Sequence, residues 1–116
     1  MQKTVLIVED EFLIAMDLAR MVEADGWTVI GPVGTVKEAL RLLEEGLPTV
    51  AMLDVNLGSE LVTPVAERLT ASNVPVASAY DKPEHQCGDL LAGVPNVGKP
   101  TSERRVLSTL RLLIEI

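Results

Sequence analysis

The chain has 116 residues, enough for one domain with a real core and too few for two. Hydrophobic residues make up 47% and aromatic ones only 3%, so the core must be aliphatic. With 17 acidic residues against 10 basic ones the net charge is -7, which repels a phosphate backbone, argues against nucleic acid as a direct partner and favours a basic protein or a cation.

Val5-Leu6-Ile7-Val8 is a β-branched run with the two-sided apolar character of a strand buried in a parallel sheet, and it ends in two acids, Glu9 and Asp10. From Glu11 to Ala24 apolar residues recur at helical spacing (Ile14, Leu18, Met21, Val22), and Gly26 supplies the stop. Trp27 to Ile30 reads as a short second strand closed by Gly31-Pro32. Thr35-Val36-Lys37-Glu38 has the form of a capping box, opening a second helix with Val36, Ala39, Leu40 and Leu43 on one face and Gly46-Leu47-Pro48 at its end. Val50 to Asn56, bounded by Pro48 and Gly58, is the third strand and delivers one carboxylate, Asp54, at its end.

Thr63-Pro64 has the form of an N-cap and first helical residue, with a start nearer Ser59 as the alternative. The helix should run through Val65, Leu69 and Ala71. Asn73 to Ser78 is a brief fourth strand with Pro75 near its start and Ser78 at its end. Residues 81 to 93, interrupted by Pro83, Gly88 and Gly93, should form a short, mobile segment around an irregular fourth helix. Asn96-Val97-Gly98 is a weak fifth strand ending in Lys99-Pro100, and Thr101 or Ser102 caps a last helix whose buried stripe is Val106, Leu107, Leu110, Leu113 and Ile114. Strand and helix alternate throughout, with no internal repeat or linker. The expected fold is a single doubly wound α/β domain spanning residues 1 to 116.

In open α/β sheets, ligand sites lie outside the carboxyl ends of the strands. Four such ends carry chemistry here: Glu9 and Asp10, Asp54, Ser78 and Lys99. Carboxylates brought together repel one another, so the cluster calls for a bound cation, and an all-oxygen donor set suits Mg²⁺. A lysine opposite such a set makes a site for handling phosphoryl groups.

V-L-I-V-E-D at the start, M-L-D-V-N-L-G in the middle and K-P near the end together resemble the receiver domain of bacterial two-component response regulators. The resemblance covers essentially the whole chain and implies a five-stranded sheet of flavodoxin-like order 2-1-3-4-5. It further implies Mg²⁺-dependent phosphoryl transfer from the phosphohistidine of a histidine kinase to Asp54. Glu9, Asp10, Asp54 and the backbone carbonyl of Asn56 would hold the metal, Lys99 would pair with the phosphoryl oxygens, and Ser78 would donate a hydrogen bond to one of them and act as a switch. Such a protein is a phosphoacceptor that takes part in its own phosphorylation and dephosphorylation, and not otherwise an enzyme.

The sequence also resembles a narrower group, stand-alone receivers whose middle reads D-V-N-L-G-G-E and whose fourth strand reads P-F-x-F-A-T-G-Y. Pro75-Val76-Ala77-Ser78-Ala79-Tyr80 has two fewer residues between proline and hydroxyl. Losing an even number preserves the alternation of faces along a strand, so Ser78 can still point at Asp54 if the preceding loop stretches by about 7 Å. Asn96 stands where many receivers place a switch aromatic, which leaves Tyr80, the only tyrosine, as the replacement.

Because the chain offers no output domain, the expected role is an adaptor that signals to a downstream protein or a sink that drains phosphate from a shared kinase. A pseudo-receiver that binds partners without phosphorylation is the alternative. A phosphatase of the haloacid dehalogenase kind needs an acid two residues after its nucleophile, where this chain has Asn56. The one cysteine, Cys87, cannot form an internal disulfide, and the Val5 to Val8 run is too short for a secretory core or a membrane span. A cytoplasmic monomer is expected, and His85 is given no role.

Overall fold

The computed structural model describes residues 3–54, 56–58, 60–79 and 102–114. The element order is β1 (Thr4–Val8), α1 (Phe12–Ala24), β2 (Thr28–Val33), α2 (Val36–Glu45), β3 (Val50–Asp54), β4 (Asn56–Leu57), β5 (Glu60–Leu61), α3 (Thr63–Ala71), β6 (Val76–Ala79) and α4 (Glu103–Ile114). Four strands form a parallel sheet in the order β2-β1-β3-β6. This matches the first four places of the expected order, and the expected fifth strand lies outside the described residues.

Two aliphatic layers sandwich the sheet, and strand alternation sorts side chains between them. Leu6, Val8, Ala51, Leu53 and Val76 face α2 and α3, meeting Ala39, Leu43, Val65, Ala66 and Leu69. Val5, Ile7, Val50, Met52 and Ala77 face α1 and α4, meeting Leu18, Met21, Val22, Val106 and Leu110. The central strands β1 and β3 are buried on both faces, which is why they read as unbroken apolar runs.

Local signals account for the helix ends. The Thr35 hydroxyl accepts from Glu38 N at 3.1 Å and donates to the Glu38 carboxylate at 3.0 Å, so the capping box forms with its carboxylate on the cap hydroxyl. Ser102 Oγ accepts from Arg105 N at 3.2 Å and caps α4, whereas Thr101 lies outside the described residues. At the end of α1, Gly26 (φ 91) lets its N–H reach the Glu23 carbonyl and the Trp27 N–H reach the Val22 carbonyl. These are the paired bonds of a Schellman motif, closed by Trp27 and Val22 in the same apolar cluster.

Several elements depart from the sequence reading. β2 does not stop at Gly31-Pro32 but runs to Val33, with an irregularity between the Leu6 and Val8 pairings that absorbs one extra residue. The proline is tolerated because β2 is an edge of the described sheet and Pro32 sits in that bulge. Thr63 lies inside α3, whose cap position is Val62, and residues 56 to 61 form a small antiparallel hairpin, β4-β5. The fourth strand starts at Val76 and not at Asn73. Asn73 and Val74 instead end α3: Asn73 adopts φ 59, its N–H meets the Thr70 carbonyl at 3.1 Å, and Val74 N meets the Leu69 carbonyl at 3.0 Å. Asparagine does here what Gly26 does after α1. On α4, Val106 and Leu110 are buried and Leu107 and Leu113 partly so, but Ile114, the helix's final residue, has no following turn to cover it and is exposed. The expected mobile segment, residues 81 to 93, lies outside the described residues.

Candidate functional site

The acids meet because β1 and β3 are neighbours in matched register. Val8 pairs with Leu53, so the next step of each strand sets Glu9 beside Asp54. Glu9 and Asp54 are 3% and 5% exposed, which puts both carboxylates at the floor of the site, while Asp10 is exposed at its rim. Glu9 is held on both sides of its backbone and side chain. Its N–H donates to the Val33 carbonyl at 2.9 Å, and its Oε2 accepts from Glu11 N at 3.1 Å.

Glycines make room around Asp10. A Cβ on Gly34 would lie 3.3 Å from the Asp10 Cα, and one on Gly58 would lie 3.7 Å from Asp10 Oδ2. Gly58 has φ 64, so the hairpin turn favours glycine there, although a Cβ would make only ordinary contact with the acid. Glu60, at the far side of that turn, accepts from Val36 N at 3.4 Å and leans the hairpin toward the start of α2.

Glu9, Asp10 and Asp54 each offer a carboxylate oxygen within 4.8 Å of the others. Ligands on a Mg²⁺ octahedron with bonds of ~2.05 Å stand about 2.9 Å apart when adjacent and about 4.1 Å when opposite. The observed spread therefore fits one ion held by a direct subset of these oxygens, with the remaining carboxylate reached through water. Mg²⁺ commonly keeps several waters, so the donor set suits it.

The other expected site residues fall differently. Asn56 begins β4, paired with Leu61 two residues beyond Asp54. Ser78 is fully buried in β6, where it pairs with Leu53, and Ala79 takes the place beside Asp54. Lys99 and Tyr80 lie outside the described residues. A feature that the sequence reading passed over is an apolar flank. Phe12, Leu13 and Met16 are 73%, 80% and 47% exposed. With Pro32, Phe12 and Met16 line a groove of ≈ 230 Å³ that opens onto Glu9 and Asp10. The signal for it was present in Phe12 and Leu13, apolar residues off the buried stripe of α1.

No family model matches the chain. Sequence relatives include the phyllosphere-induced regulator PhyR of Methylorubrum extorquens, 39% identical over 87 residues, a match covering 72% of this chain and 33% of that protein. Among solved structures, SdrG from Sphingomonas melonis is 38% identical, aligns over 97% of both chains and superposes with a TM-score of 0.85. The chain belongs to the receiver domains of response regulators. A signal receiver domain of a modulated diguanylate cyclase from Desulfovibrio desulfuricans, 27% identical, also aligns with a TM-score of 0.85 over 98% of this chain and 94% of that one. The receiver spans less than half the length of the curated regulators it matches, between 27% and 42% of them. Among the described residues no helix is long and apolar enough to cross a membrane.

Proposed function

We propose that this receiver accepts a phosphoryl group on Asp54 from the phosphohistidine of a histidine kinase. The observation that carries the reading is the convergence of Glu9, Asp10 and Asp54 within 4.8 Å at the carboxyl ends of the two central strands. An Asp54 carboxylate oxygen attacks phosphorus as the phosphorus–nitrogen bond breaks and its electron pair returns to nitrogen; with the donor ring protonated on its other nitrogen, the products are an acyl phosphate on the protein and a neutral imidazole on the donor. Such a transfer demands little covalent chemistry from the protein and much positioning and charge neutralisation. Glu9, Asp10, Asp54 and the Asn56 carbonyl would hold Mg²⁺. That ion, when bound, offsets the charge of the incoming phosphoryl oxygens. Lys99 would pair with the same oxygens.

Burial of Asp54 restricts its approach to the open end of the site, beside Asp10. The exposed Phe12, Leu13 and Met16 flank that approach and suit the apolar part of a docking kinase, while the net charge of -7 favours a basic surface around it. On this reading the domain works in the cytoplasm, as a phosphoacceptor and not a turnover enzyme, and acts through protein contacts or as a phosphate sink. The test is incubation with Mg²⁺ and acetyl phosphate followed by intact mass. One added phosphoryl group, labile to base and hydroxylamine and dependent on Mg²⁺, is expected. Its failure to form, or its persistence in Asp54→Asn, rejects Asp54 as the acceptor.

A further inference from the structure

The strand that carries Ser78 is pinned at its start, and the pinning decides where its hydroxyl goes. Asn73 and Val74 are engaged in the cap of α3, through Thr70 and Leu69, and Val74 packs into the same apolar cluster as Leu69. One residue on, the Pro75 carbonyl accepts from Ala51 N at 3.1 Å and sets the first rung of the pairing with β3. There is no slack between helix and strand. Register then runs Ala51 with Val76, Met52 with Ala77, Leu53 with Ser78 and Asp54 with Ala79.

Two consequences follow for Ser78. It sits one residue below the level of Asp54, and, two positions after Val76, it faces the α2-α3 layer that holds Val76 and Leu53. Strand face does not by itself exclude it from the site, since Asp10, one residue past Glu9, reaches the acids from the other face; the level does. Carrying Ser78 up the strand by two residues would take about 7 Å of chain. That movement would break both cap bonds of α3, the Val74 packing and the Ala51–Pro75 rung together.

We infer that Ser78 is a core residue of this receiver, held one residue below the level of the phosphoacceptor, and that it is not the group that reads the phosphoryl state. With only two residues between Pro75 and Ser78, the register from the Pro75–Ala51 rung ends with the hydroxyl beside Leu53. Response to phosphorylation therefore does not pass through the Ser78 side chain. The inference rests on Asp54 as the acceptor, but the placement of Ser78 can be tested without it.

Two measurements separate the two claims. In the metal-free wild-type protein, interstrand nuclear Overhauser contacts should join Ser78 to Leu53 and Ala79 to Asp54. Contacts that place Ser78 at the level of Asp54 or beyond overturn the inference, whatever the protein does with phosphate. Second, Ser78→Ala and Ser78→Val should bind beryllofluoride with Mg²⁺ within about twofold of wild type and reproduce its amide shift changes, while the free proteins differ in melting temperature. A loss of tenfold or more in beryllofluoride affinity, in variants whose free spectra remain folded, makes Ser78 a phosphoryl-contacting group and overturns the inference. If wild-type protein fails to bind beryllofluoride, the phosphoacceptor reading falls and the interstrand contacts alone decide Ser78.

Discussion

The ends of β1, β3 and β6 belong to one sheet, yet they differ: the first two bring three carboxylates within 4.8 Å, whereas β6 sets Ser78 one residue below the level of Asp54. β1 and β3 pair residue for residue from Val5 and Val50 onward, and each is long enough to bring its acids to the rim. β6 pairs just as regularly with β3, but it starts from a proline anchored against Ala51 and has only four residues. Its hydroxyl-bearing residue stops one level short. The difference teaches that a site residue is placed by where its strand is anchored and how many residues follow, and not by its order among motifs.

The strongest way to break the comparison is at the acceptor itself. Asp54→Asn should abolish the Mg²⁺-dependent labile phosphoryl group while Ser78→Ala retains it, as read by intact mass after acetyl phosphate. Loss in both variants would join the two strand ends that the register separates.

Leu53 lies at the crossing point, fully buried, opposite Val8 on one side and Ser78 on the other. Leu53→Ala should cost about 2–5 kcal/mol in urea unfolding, since the packed α2-α3 layer cannot collapse into the gap. A cost well below that range would mean that β3 does not hold both neighbours in place.

Metal linkage sharpens the contrast. With three carboxylates converging, Mg²⁺ at ~100 times its dissociation constant should stabilise the fold by about 2.7 kcal/mol, and Asp10→Ala should remove most of that response. Ser78→Ala should keep it. Thermal melts at fixed ionic strength, with and without Mg²⁺, check this, and an equal response in wild type and Asp10→Ala would remove Asp10 from the cation site.

The smallest effect concerns the anchor of β6. Asn73→Gly should be close to neutral, because glycine accepts the φ of 59, whereas Asn73→Val should cost about 1–2 kcal/mol from the left-handed backbone. If Asn73→Val also shifts the contacts of Ser78 away from Leu53, the cap of α3 is what holds the strand in register. Unchanged contacts would assign that role to the Ala51–Pro75 rung and the Val74 packing.

Much of this protein was legible in the chain alone, because the decisive signals are local. The apolar runs of β1 and β3, the helical spacing of α1 and α2, the Thr35 capping box and the stop at Gly26 each depend on neighbours a few residues away. Adjacent placement of Glu9, Asp10 and Asp54 was also readable, since strands of ordinary length buried on both faces bring their ends to one rim. The β4-β5 hairpin escaped notice because two-residue strands have no periodicity to detect, although Gly58 marked its turn. Pro32 read as a strand stop because the missing N–H counts against a ladder, and only the sheet order shows β2 at an edge of the described sheet, where no partner among the described residues needs it. Asn73 read as strand because nothing local distinguishes an asparagine that opens a strand from one that closes a helix. That choice required the Leu69 and Thr70 carbonyls to be in reach. Once it was made, the count from Pro75 placed Ser78 beside Leu53: composition and spacing determined which residues exist for the site, and the anchoring of β6 between a helix cap and a neighbouring strand decided which of them arrive.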